Sequence, residues 1–179
     1  MDRVIITKPV EVRPGKRLSK KVKKGLEPLV DVLKQITRGV STSVFSSTNW
    51  DAIRTAAYIE SQLGLELGID FEKGALLREP IRDPLEYHQT QKTFQERMED
   101  VYRFITGPGE NVILVPDVKV ADDFCRHLAT FPEGTSYEGE KDFTKFVPGT
   151  AVYFNRRDRT VDIIPRKKDQ EKEIGQATK

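Results

Sequence analysis

The spacing of apolar residues changes period several times along this chain. Val4 to Thr7 is a short apolar run that stops at Pro9, the signature of an opening strand. From Ser19 to about Ile36 the apolar positions Val22, Leu26, Leu29, Val30, Leu33 and Ile36 fall on one side of a helix, with Ser19 placed to cap it. Pro28 lies inside that pattern, which predicts a kink or a later helix start, because proline lacks the N–H the helix needs. "STSVFSST" reads as a strand centred on Val44 and Phe45. A helix is expected from Asn49 to Leu63, ended by Gly64, with Ile53, Ala56, Ala57 and Leu63 on its buried side. A longer helix is expected from Gln89 to Ile105, with Phe94, Met98, Val101, Tyr102 and Ile105 at helical spacing. "NVILVP" is a continuous apolar run, as in a central strand covered on both faces. Val120 to Leu128 returns to helix, and "TAVYFNRRDRTVDIIP" reads as two alternating strands around a polar turn.

Strands alternating with helices imply an α/β fold: a three-layer sandwich with a mostly parallel central sheet flanked by helices. In such sheets ligands bind beyond the carboxyl ends of the strands. The residues after Ile6, Phe45 and Val115 are therefore expected to face one cleft. One domain is expected over residues 1–165, with a charged tail over 166–179.

Composition narrows the class. Hydrophobic residues make up 37% and charged residues 32% of the chain, a polar but globular balance. No apolar run approaches the roughly 18 residues needed to span a bilayer, and no secretory signal pattern opens the chain, so a cytoplasmic protein without membrane attachment is expected. Cys125 is the single cysteine, which excludes an internal disulfide and multi-cysteine zinc sites. Charge is uneven: residues 1–38 hold 11 Lys/Arg against 4 Asp/Glu, whereas residues 39–165 hold 14 against 21. The excess is concentrated in "RPGKRLSKKVKK", making Arg13, Lys16, Arg17, Lys20 and Lys21 candidate anion-binding residues. A solvated loop and helix start is the plainer reading of the same run, and no aromatic residue is interleaved to stack single-stranded bases.

Four motifs carry a family resemblance: "LSKKV" at 18–22, "SSTNWDAIRTA" at 46–56, "LLRE" at 76–79 and "ENVILVPDV" at 110–118. In order and spacing they resemble the histidine phosphatase superfamily, also called phosphoglycerate mutase-like, over roughly residues 3–165. Ser46, Ser47, Ala52, Thr55 and Ala56 fall in register with the second family motif. The resemblance implies a phosphohistidine mechanism in which one histidine attacks phosphorus while two arginines and a second histidine hold the phosphoryl oxygens. It also places other residues in those roles. Thr7 stands for the first arginine, Lys8 for the nucleophilic histidine, Asp51 for the second arginine and Asp117 for the second histidine; Glu79 matches the Leu-x-Glu motif.

Lysine is a poor nucleophile while protonated, ionised Asp117 has no proton to donate, and Asp51 puts negative charge where a guanidinium fork should clamp phosphate. One ammonium against three carboxylates would repel a phosphate dianion. The expectation is a catalytically inactive, pseudoenzyme form of the fold that binds a protein or small ligand, with Lys8 paired to Asp117. Asp51, Glu79 and Asp117 offer oxygen ligands to a divalent cation, but Lys8 opposes one, so neither a metal nor another cofactor is expected. Two alternatives stand beside this reading. One is an active phosphomonoesterase with displaced groups, drawn from Arg13, Arg54, Arg78 and His88. The other is a nucleic-acid-binding module built on residues 13–24. His88 and His127 are expected at the surface, Trp50 as a packed rim or core aromatic, and Cys125 as a buried, inert thiol.

Overall fold

The computed structural model describes residues 3–13, 15–65, 77, 96, 99–101, 103, 111–130, 136–140 and 142–165. Strand β1 is Arg3–Thr7, helix α1 Lys20–Thr37, strand β2 Thr42–Ser46, helix α2 Trp50–Leu63 and strand β3 Asn111–Val115. Helix α3 follows at Ala121–Thr130, then β4 at Glu138–Gly139, a 3-10 turn at Phe143–Lys145, β5 at Ala151–Asn155 and β6 at Thr160–Ile164. Among the described residues these strands form one sheet in the order β2-β3-β1-β5-β6-β4. Strands β1 and β2 flank β3 in parallel, and β4 runs parallel to β6. β5 pairs antiparallel with both β1 and β6, so it alone among the described strands runs against the others. The α/β architecture with a mostly parallel sheet is thus present, with the C-terminal hairpin supplying the reversed strand.

Pleating divides the core into two layers, because successive side chains of a strand face opposite sides. Val4, Ile6, Val112 and Leu114 pack with Phe124 and Leu128 of α3. Ile5, Ile113 and Val115 pack on the other face with Leu26, Leu29 and Leu33 of α1 and Ala52, Ala56 and Ile59 of α2. All five residues of β3 are buried, as its unbroken apolar run requires for a strand covered on both faces. Each fully buried Leu or Ile contributes on the order of 1.5–3 kcal/mol relative to exposure.

Local signals decide the helix ends. Ser19 caps α1 by accepting a hydrogen bond from the Val22 N–H at 3.2 Å. α1 begins at Lys20 with Pro28 inside it, so proline does not delay the start. Gly64 ends α2 in the left-handed conformation, φ 68°, its N–H returning to the Glu60 carbonyl. The buried side of α2 corrects the apolar reading: Ala52, Thr55, Ala56, Ile59 and Glu60 face inward, while Ile53, Ala57 and Leu63 are half-buried. Small residues win this face because α2 lies close on β2 and β3. Thr55 tolerates burial because its hydroxyl donates to the Asp51 carbonyl one turn back, at 2.8 Å. Residues 96, 99–101 and 103 are helical; the rest of the expected 89–105 helix and the 166–179 tail lie outside the described residues.

Candidate functional site

Three parallel strands end together, and polar residues follow each one: Lys8 directly after β1, Ser47 directly after β2, and Asp117 two residues past the end of β3. The Ser47 N–H extends the ladder by donating to the Val115 carbonyl at 2.9 Å. The Lys8 N–H donates to the Thr150 carbonyl at 3.1 Å, and the Gly149 N–H returns to the Lys8 carbonyl at 3.2 Å. Gly149 holds φ 84°, a left-handed conformation that glycine adopts without strain, so the turn before β5 is built to grip Lys8.

The Lys8 side chain leaves this end of the sheet for α3. Its Nζ donates to Asp122 Oδ1 at 2.7 Å and to the Phe146 carbonyl at 3.0 Å, and sits 5.2 Å from the Phe146 ring centroid. The Lys8 side chain is 12% exposed and Asp122 35%. The expected Lys8–Asp117 pair is not formed. Asp122 outcompetes Asp117 because it lies in the first turn of α3, where the helix dipole favours a carboxylate, directly beside the buried ammonium.

Asp117 is buried, 7% exposed, and accepts a short hydrogen bond from the Ser47 hydroxyl. Its backbone N–H donates to Leu77, and its carbonyl accepts from Val120 and Ala121, so it anchors the turn into α3. Ser47 Oγ in turn accepts from the Asn49 N–H at 3.1 Å, steadying the entry to α2. Asp51 accepts from the Val12 N–H at 2.9 Å, and Thr55 Oγ1 accepts from the Val10 N–H at 3.2 Å. The loop after β1 is therefore pinned to α2 by two side chains. Thr7 is fully buried, and its hydroxyl makes no hydrogen bond to a described residue.

A cleft of about 480 Å³ opens beside these residues. Pro9, Ala52, Val118 and Pro148 form its apolar walls, and Glu11, Asn49, Asp51, Asp117 and Lys119 its polar ones. Three carboxylates thus face it against one ammonium. Neither histidine nor arginine lines it among the described residues. Of the residues picked out by sequence, the structure brings Asp51 and Asp117 into this cleft, turns Lys8 away from it and leaves Thr7 beneath the surface. Glu79, Arg78 and His88 lie outside the described residues.

No protein-family model and no curated protein matches the sequence. Solved structures do match. The protein histidine phosphatase SixA complexed with tungstate aligns with a TM-score of 0.57 at 11% identity, covering 90% of this chain and 93% of its own. Phosphoglycerate mutase from Plasmodium falciparum aligns with a TM-score of 0.50 at 17% identity, covering 92% and 89%. Mycobacterial glucosyl-3-phosphoglycerate phosphatase aligns with a TM-score of 0.50 at 11% identity, covering 91% and 97%. The chain has the histidine phosphatase fold. A fold hosts many chemistries, so the activity has to be argued from the side chains at the strand ends.

On this histidine phosphatase scaffold the remaining candidates take ordinary packing roles. Arg54 does not reach the cleft; its guanidinium lies 4.0 Å over the Trp50 ring, one helical turn away. Arg13 is exposed and outside the cleft lining. Burial pushes the Cys125 thiol well up, with Asp122 adding to the shift and Lys8 and Arg126 opposing it, so the thiolate is disfavoured. His127 is half-buried rather than at the surface, and desolvation lowers its pKa while Glu99 pulls the other way. Sequence reasoning missed Asp122, Glu11 and Lys119. Asp122 carried a usable signal: it sits in the first turn of the helix that follows β3, and therefore at the same sheet edge as Lys8.

Proposed function

We propose that this chain is a non-catalytic form of the histidine phosphatase fold, acting by binding rather than by phosphoryl transfer. The observation that carries this reading is the engagement of Lys8. The phosphohistidine route needs a nitrogen lone pair aimed at phosphorus. An ammonium donating to Asp122 and to the Phe146 carbonyl offers no lone pair, and it is directed away from the cleft. Electrostatics adds to the argument. Removing a single oxyanion donor from an active site costs on the order of 2.7–4 kcal/mol, and here the cleft presents Glu11, Asp51 and Asp117 to an incoming phosphate. Asp51 and Asp117 also hold the surrounding loops, so the fold has taken over both positions for its own stability.

The test is incubation of the purified protein with p-nitrophenyl phosphate, sugar phosphates and a phosphohistidine peptide. The expected result is no turnover above the uncatalysed rate, in the wild type and in Lys8→His alike, because one restored imidazole lacks its phosphate clamp. Turnover that disappears in Lys8→Ala would defeat the proposal.

A further inference from the structure

The segment from Arg13 to Lys24 stands apart from the cleft and differs from it in charge and exposure. Arg13, Lys16, Arg17, Lys20, Lys21 and Lys24 are all exposed, and none forms an ion pair with a described residue. Lys23 is exposed as well, resting 5.9 Å from the Tyr58 ring centroid. No carboxylate lies within the segment, and the first turn of α1 contains no acidic residue. Cations gathered at the positive end of a helix repel one another and oppose its dipole, so the fold accepts a local cost here with no partner among the described residues to offset it. The segment is also held in place. Val10 and Val12, just before it, are tied to Thr55 and Asp51, Lys16 N–H closes a turn on the Arg13 carbonyl at 3.0 Å, and Ser19 caps the helix.

We propose that this surface binds the phosphate backbone of double-stranded nucleic acid, without reading its sequence. A pinned array of unpaired lysines and arginines matches a closely spaced row of phosphates, the interaction that supplies non-specific affinity through counterion release. The segment has no aromatic side chain to stack unpaired bases, which disfavours single strands. It has no Asn or Gln, and its two arginines lie in the loop ahead of the helix, so groove readout is not expected. An anionic bilayer fits less well. Leu18 is buried and Val22 half-buried, so neither is free to insert into a bilayer. Farther along the same exposed face of α1, Glu27 and Asp31 would be pressed against the lipid headgroups. A duplex, with a narrow ridge of phosphates, meets only the basic end.

The experiment is fluorescence anisotropy of a labelled 20-base-pair DNA duplex with the full chain, in parallel with sedimentation of phosphatidylserine-containing vesicles. Binding is expected at 50 mM salt, weakening on the order of 100-fold by 200 mM, as about four phosphate contacts would give. AT-rich and GC-rich duplexes should bind within about threefold of each other, because backbone contacts carry no sequence information. Lys20→Glu/Lys21→Glu/Lys24→Glu should weaken binding by at least tenfold while raising the melting temperature, since the new carboxylates suit the helix start. Arg13→Ser/Lys16→Ser/Arg17→Ser, confined to the loop, should weaken binding without touching the helix. Absence of duplex binding at 50 mM salt, unchanged binding in both variants, or stronger capture by the vesicles would overturn the proposal. None of these outcomes bears on phosphoryl transfer, which the turnover assay tests separately.

Discussion

Lys8 and Lys20 lie twelve residues apart, and the fold treats them in opposite ways. Lys8 is nearly enclosed, with a carboxylate, a carbonyl and an aromatic ring around its ammonium. Lys20 projects into solvent from the first turn of α1 with no charge partner among the described residues. The same contrast separates the two regions they belong to. At the strand ends most of these polar groups bond internally: Asp51 and Thr55 hold a loop, Asp117 starts a helix turn, and Ser47 bonds to Asp117 and to the Asn49 N–H at the entry to α2. Along residues 13–24 no charge forms an ion pair with a described residue. A charge the fold consumes is unavailable for chemistry, whereas a charge it leaves unpaired, at a cost, is available to a partner. The contrast turns the internally bonded strand ends and the basic surface into two consequences of one distribution of charge.

The strongest way to break this comparison is to truncate both lysines. Lys8→Ala leaves Asp122 facing the void of a buried ammonium. Breaking a fully buried pair costs about 3–5 kcal/mol, but water reaches part of Asp122, so a loss of about 2–3 kcal/mol is expected. Lys20→Ala should stay within about 0.5 kcal/mol of the wild type or stabilise slightly, because it removes a cation from the positive end of α1. Urea unfolding of both variants measures the difference. Equal effects would remove the distinction between consumed and unpaired charge.

Thr7 offers a smaller test with the opposite sign. It stands one residue before Lys8, fully buried, with a hydroxyl that finds no partner among the described residues. An unsatisfied buried hydroxyl costs about 1–3 kcal/mol, and valine has nearly the same shape. Thr7→Val is therefore expected to raise stability by about 1 kcal/mol, measured as a higher urea midpoint with unchanged slope. A loss would show that the hydroxyl has a partner in solution and that the strand ends are more fully bonded than they look. A gain would mark Thr7 as a polar group at this end of the sheet that the fold has not put to use.

Much of this was legible in the sequence, and the reasons are physical. The buried run of β3, the Ser19 cap and the Gly64 stop are local signals, and each element formed where its signal placed it. The alternation of strand and helix gave the layered sheet, and the motif spacing gave the fold. The inward face of α2 was misjudged because apolar bulk was weighed over size, and close packing on a sheet selects alanine and threonine. The Lys8–Asp117 pairing failed for a different reason. Position in a motif says which residues end the strands, but the choice between Asp117 and Asp122 depends on where α3 starts and how its first turn faces the sheet. Glu79 was legible as a motif residue, but it falls outside the described part of the chain.

The finest distinction between the two regions lies in how each responds to acid. Residues 13–24 contain no histidine, the side chain whose ordinary pKa falls between pH 8 and pH 5. His127 does titrate there. Burial lowers its pKa in the folded protein, and Glu99 only partly offsets that shift. The unfolded chain, with an ordinary histidine pKa near 6.5, therefore takes up the proton first as pH falls. Stability is unaffected by this residue well above pH 6.5, declines as pH drops through that value, and levels off below the folded pKa. His127→Gln removes this imidazole and leaves every other titrating group in place. Urea midpoints of wild type and variant measured at pH 7.5 and pH 5.5 should then show the wild type losing more stability than the variant between the two. Equal losses would mean that His127 accepts its proton as readily in the folded protein as in the unfolded one, and that α3 leaves the imidazole as open to water as α1 leaves Lys20.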